Sequence, residues 1–204
     1  MRLPLHIFEE RYKQMIADCI REEMPFGIVL FGGSAIRSVG CMASITNVVK
    51  RYDDGRMDIL TKGGERFVVQ DFIDEKPYLE AQVSFFDDSP EIPTDDVQPL
   101  IAEAWNLLYE MADNDLGIDL KNIKDSIPPH QLSFAIASLE GFSPAERQVF
   151  LEMTSPLERL RKSVQALNKI VARNRLTRDI QKIIGGNGHP SKRILNTLRN
   201  KPLK

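Results

Sequence analysis

Apolar positions recur at spacings of three and four at the start of the chain: Leu5, Phe8, Tyr12, Met15, Ile16, Cys19 and Ile20. This spacing predicts an amphipathic helix. Glu9 stands one turn from Lys13, Pro4 suits the start and Pro25 the stop. From Phe26 the period changes. Phe26 to Phe31 is a short apolar run between Pro25 and Gly32-Gly33, and Val39 to Val49 alternates, with Cys41, Ala43, Ile45 and Asn47 on one face. Asp54-Gly55 between two such runs predicts a hairpin, because both residues tolerate positive φ. Arg56 to Leu60 returns as a strand, Gly63-Gly64 breaks it, Glu65 to Gln70 resumes it, and Tyr78 to Phe86 follows Pro77. Short strands separated by turn signals predict a small antiparallel sheet or barrel.

Beyond Pro93 the pattern turns helical. Val97 to Ala112 and Leu132 to Leu139 read as helices, the second closed by Gly141. Ser143-Pro-Ala-Glu146 and Ser155-Pro-Leu-Glu158 are capping boxes with proline at the first helical position. The last helix runs from about Pro156 to Ile184, stopped by Gly185-Gly186. Its stripe of Leu157, Leu160, Val164, Leu167 and Val171 is too short to demand a coiled-coil dimer, so packing on the chain's own helices is expected. The fold class is therefore α+β. The expected division is a β subdomain with an N-terminal helix over 1–90, a helical subdomain over 91–186, and a polar, flexible basic tail over 187–204.

The net charge of −2 over 204 residues hides a split. Residues 1–155 carry 14 Lys+Arg against 27 Asp+Glu, and residues 156–204 carry 13 against 2. A basic arm for an acidic partner follows, or one that folds against its own acidic body. Chemistry is sparse. Cys19 and Cys41 give neither a disulfide framework nor a zinc site, and His6, His130 and His189 lack metal-ligand spacing. There is no GxSxG elbow, and the glycines from Gly185 lack the order of a phosphate loop. No catalytic residue, metal or cofactor is expected. Without a signal-peptide pattern or a long apolar run, a cytoplasmic protein with no membrane partner is expected.

Leu3-Pro-Leu-His-Ile-Phe-Glu-Glu-Arg-Tyr12 resembles the LPLHIFExRY signature of the Lon protease amino-terminal domain. Phe26 to Leu30 resembles that family's FGVVL strand, and Val39 to Ala43 its VGxxA element. Asp54-Gly-Arg56 and Gly64-Glu-Arg-Phe67 resemble its DGR and GxxRF elements, and Tyr78-Leu79 fits its next strand. The resemblance implies a PUA-like antiparallel β-barrel followed by a helical subdomain with a long terminal helix. It further implies a non-catalytic substrate-binding module for unfolded or flexible polypeptide, without the ATPase and Ser-Lys protease domains, serving as an adaptor in protein quality control. An ATPase or protease is then an expected partner. The family has a strand with a VLFPG-like segment ahead of this signature that the chain does not show. Either the start lies upstream or the barrel lacks a strand, which would leave an exposed edge for a homodimer or a peptide. The long helix is a second route to a homodimer.

Two sets of residues are candidates for binding. Met24 and Phe26 flank Pro25 at a strand start, and Phe85 and Phe86 are neighbours in a strand, so they point to opposite faces. These four form the expected polypeptide-binding groove. Phe8, Arg11 and Tyr12 are expected to hold the helix against the sheet. The alternative function is nucleic-acid binding through Arg159, Arg161, Lys162, Lys169, Arg173, Arg175, Arg178 and Lys182. It would depend steeply on salt, but the arm has no aromatic residue on which bases could stack.

Overall fold

The computed structural model describes residues 2–90, 97–115, 124 and 127–185; the expected tail, 187–204, and the stop at Gly186 lie outside them. The chain divides into two compact units. One comprises Met1–Pro93 and His130–Arg159, the other Thr94–Pro129 and Leu160–Lys204. This differs from a boundary near residue 90, because helices after residue 129 belong with the sheet.

In the first unit, the start of the chain is a strand, β1 (Arg2–Ile7), and not the first turn of a helix. Leu3, Leu5 and Ile7 are the more buried positions, a period of two, and Pro4 sits where an edge strand gives up an amide at little cost. Helix α1 (Glu10–Glu22) follows, ended by Glu23 in the left-handed region. The expected Glu9–Lys13 pair is replaced: Glu9 accepts from Arg11, while Lys13 reaches Glu10 and the carbonyl of Asp54.

Strands β2 (Phe26–Phe31), β3 (Ile36–Arg51), β4 (Met57–Ile73) and β5 (Glu80–Phe86) complete an antiparallel sheet. The β3–β4 hairpin is its spine and turns at Gly55, whose φ is 82°. One edge of β4 carries β1 along its first third and β5 along its second half. The outer edge of β3 carries β2 along residues 36–43. Gly63-Gly64 does not break β4. Ala43 pairs with Gly63 and Cys41 with Arg66, so a bulge absorbs the extra residue and the strand continues. Two opposite bulges, at Thr46 and Val49, put the extra residue on β3 and shift Asn47 off the face of Ile45. Among the described residues no pairing joins β2 to β1 or β5, so the sheet is open and the expected barrel is not closed.

Helix α1 covers one sheet face. Ile16 is completely buried against Ile7, Phe26, Ala43, Met57 and Ile59; a side chain of that size contributes about 1.5–3 kcal/mol on burial. Helices α3 (Pro129–Ala137) and α4 (Pro144–Glu152) close the unit. Gln148 donates to the carbonyl of Val39 at 3.0 Å, and Arg37 pairs with Glu152 at 2.8 Å. The capping box at Ser143 forms as expected, with both reciprocal bonds to Glu146. Ser143→Ala is expected to cost about 1 kcal/mol, read as a lowered thermal midpoint.

In the second unit, α2 (Val97–Asp115) buries Ala104, Trp105, Leu107 and Leu108. The long helix α5 (Pro156–Gly185) starts in the first unit and continues here, burying Leu160, Val164, Leu167 and Val171 of the expected stripe. Asn168 donates to Glu103 at 2.7 Å and Arg175 pairs with Glu110, which ties α5 to α2.

Candidate polypeptide-binding site

The end of α1 and the middle of β3 form a groove. Glu23 takes the left-handed turn, Pro25 forces an extended approach, and β2 begins at Phe26 opposite Ala43. β3 therefore outruns β2: the outer edge of residues 44–51 has no strand partner among the described residues. Beside that edge lies a groove of about 420 Å³, walled by Cys19, Ile20, Glu23 and Met24 on one side and by Ser44 to Val48 on the other. Thr46 donates its hydroxyl to the carbonyl of Leu60 at 2.9 Å, which holds the bulged edge in place. Burial, aided by the charges of Asp18 and Glu22, pushes the Cys19 thiol up. At neutral pH it is held chiefly as the thiol, a small apolar group that reacts slowly.

The sequence-derived residues separate here. Met24 is 57% exposed and lines the groove. Phe26 is 8% exposed and lies in the core with Ile16 and Ala43, so it does not line the groove. Phe85 and Phe86 belong to β5, opposite Phe67 and Arg66, and do not line the groove. Phe85 is 55% exposed; Phe86 is half-buried, with the Arg66 guanidinium 4.6 Å from its ring centre. Sequence reasoning missed Cys19, Ile20, Ile45 and Val48 as lining residues. The available signal was the unequal length of the two runs, six residues at Phe26–Phe31 against a longer alternation after Val39.

The basic set also divides. Arg159 is fully buried and does not belong to a basic surface. Its guanidinium bonds Asp88 at 2.6 and 2.7 Å, Ser133 at 2.9 Å and the carbonyl of Met153, and lies 3.9 Å from the ring centre of Phe134. Arg175 is paired with Glu110. Lys162, Lys169, Arg173 and Lys182 are exposed, and Arg161 and Arg178 are half-buried.

One His–Asp contact stands out from the scattered carboxylates. His6 Nδ1 lies 2.6 Å from Asp58, whose other oxygen accepts from the Tyr52 hydroxyl at 2.8 Å. These bonds, that from His6 first, hold the Asp58 carboxyl below its ordinary range. His6 and Asp58 are opposite each other in the β1–β4 register, so the pair pins the first strand to the hairpin. Among the described residues no group of three or more His, Cys, Asp or Glu is placed to hold a metal, and no helix is long and apolar enough to cross a membrane.

The Lon protease of Anaeromyxobacter dehalogenans (strain 2CP-C) is 24% identical over 178 residues, covering 82% of this chain and 21% of the relative. The chain thus spans about a fifth of the length of the curated relatives it matches. Two solved structures share the fold. The N-terminal domain of a Mycobacterium avium complex Lon protease gives a TM-score of 0.67 at 19% identity, covering 82% of this chain and 90% of that one. A Lon N-terminal domain protein from Xanthomonas campestris gives 0.61 at 21%, covering 79% and 87%. The family model of the ATP-dependent protease La (LON) substrate-binding domain matches residues 1–169, and the chain belongs to that family.

Proposed function

We propose that the chain is a non-catalytic polypeptide-binding module that acts as an adaptor in cytoplasmic protein quality control, holding unfolded or flexible segments for an ATP-dependent protease. The observation that carries this reading is the family match, which falls on the substrate-binding domain. Exposed apolar side chains on the first unit support it: Met24, Phe31, Phe72 and Phe85 are large, solvent-facing and not needed for its core. Isolated apolar side chains on a surface are ordinary, whereas several on one sheet-based unit fit capture of apolar segments. The nucleic-acid reading is weaker. Of its eight basic residues one is buried and one is committed to Glu110.

Fluorescence anisotropy with a permanently unfolded polypeptide and with a short RNA, each at low and high salt, tests this. The polypeptide is expected to bind with an affinity that high salt leaves intact. Binding of the RNA alone, abolished by salt, would overturn the proposal in favour of the basic helix.

A further inference from the structure

We propose that the free edge of β3 is the docking site of a short extended polypeptide, which adds as an antiparallel strand beside residues 44–48 and lays alternate side chains into the groove under α1. This deepens the polypeptide-binding reading and rests on it.

Three observations converge on a strand rather than another ligand. Among the described residues the outer edge of β3 has no strand partner beyond Ala43, which leaves its backbone donors and acceptors without a ladder where β2 stops. Only another extended backbone matches such a row at the spacing of a sheet. Both walls of the groove at that edge carry apolar side chains, Cys19, Ile20 and Met24 on one and Ile45 and Val48 on the other, among polar ones, which suits the alternate side chains of an added strand. Every pairing in the sheet is antiparallel, and an added strand in line with β2 keeps that order.

Charge sets the direction. Glu23 lines the groove three residues before Phe26, the partner of Ala43, and the exposed Lys50 and Arg51 follow Val48 along β3. An antiparallel strand starts beside Lys50 and Arg51 and finishes beside Glu23. The fitting segment is therefore acidic first, apolar at alternate positions, and basic last. The bulges at Thr46 and Val49 limit the paired stretch to about five residues, because each twists the edge. They also disfavour a second copy of this chain. In a two-fold pairing of residues 44–51 with themselves, Thr46 falls opposite Val49, so bulge meets bulge and the ladder is interrupted twice.

A fluorescent eight-residue peptide with two leading glutamates, valines alternating with threonines, and two closing lysines is the probe, titrated with the whole chain. N-methylation on alternate residues removes peptide donors in one phase at a time. Methylation in the phase facing β3 is expected to weaken binding about tenfold or more, the other phase to leave it nearly unchanged, since one lost hydrogen bond is worth about that factor. Reversing the charge order is expected to weaken it as well. Met24→Asp changes a solvent-facing side chain and is expected to lose peptide binding while keeping the urea midpoint. Bound peptide is expected to slow alkylation of Cys19, located by peptide mapping.

A flat N-methyl scan means the groove takes side chains without a strand, and overturns the inference. No peptide binding while the unfolded polypeptide still binds overturns the inference and leaves the proposed function standing. Failure of both probes removes both. Sedimentation as a dimer that peptide does not dissociate, with Cys19 protected in the absence of peptide, assigns the edge to a second copy and also overturns the proposal.

Discussion

Asp88→Asn is expected to destabilise the first unit by about 3–5 kcal/mol, the range for removing one partner from a buried ion pair. Asp88 stands between two buried guanidinium groups, bonding Arg66 at 2.5 Å and Arg159 at 2.6 and 2.7 Å. Arg66 also donates to the carbonyls of Leu151 and Met153, which end α4. Without the carboxylate, two cations face each other with little water to screen them. Arg159→Met leaves Asp88 with Arg66 and is expected to cost less. Urea midpoints of the two variants check the order, and equal losses would contradict it. Burial pushes the Asp88 carboxyl up, but Arg159 and then Arg66 outweigh it, so the group ends below its ordinary value. A depressed carboxyl contributes stability that is present above the ordinary range, about pH 4, and lost as pH falls through its lower value in the folded state. Stability of the native chain is therefore expected to drop more steeply below about pH 4 than that of Asp88→Asn. Parallel pH profiles would count against this account.

The second large effect is expected at Gly40. Phe67 is 2% exposed on β4, and its ring lies over two glycines, Gly40 on the adjacent β3 and Gly27 on β2 beyond it. A methyl group on Gly40 would stand 2.4 Å from the end of that ring and 2.6 Å from the carbonyl oxygen of Ile28. The second contact is backbone in a paired strand, which cannot retreat without breaking the β2–β3 ladder. Gly40→Ala is expected to cost about 3 kcal/mol, the upper end for overpacking. At Gly27 the close contact is with the ring alone, at 2.9 Å. Gly27→Ala is expected to cost less, and Phe67→Leu, which shortens the obstacle, is expected to relieve it. A double-mutant cycle in urea distinguishes the two glycines: strong coupling of Phe67 to Gly27, and a residual loss at Gly40 whatever stands at 67.

These two clusters explain the motif residues by which the family was recognised. Gly27, Gly40 and Phe67 come from three separate sequence elements and meet in one stack; Arg66, next to Phe67 in the chain, bonds Asp88 and the end of α4. The strings were legible in the sequence, but their coupling was not, because cross-strand register depends on bulges that no local pattern announces. The same bulges explain why Gly63-Gly64 read as a break and why Asn47 read as facing inward. The start of the chain misled for a different reason. Leu3, Leu5 and Ile7 alternate, yet Leu5, Phe8 and Tyr12 also fit a helical stripe, and only pairing with β4 decides between the two. Of the groove, Met24 was legible, as an apolar residue beside a proline. Ile45 and Val48 were not, since they become groove walls only where β2 stops short. Arg159 read as one of a row of cations because a sequence does not reveal that Asp88, 71 positions earlier, is its partner.

The first unit is discontinuous: residues 94–129 interrupt it, and it ends at Arg159. A ribosome therefore finishes all five strands long before it supplies the groups that lock them. By residue 93 the nascent chain holds Arg66 and Asp88, but neither the α4 carbonyls nor the second guanidinium. Through the synthesis of nearly seventy further residues the sheet must wait half-finished, its β5 end uncovered, until Arg159 arrives to close the cluster around Asp88.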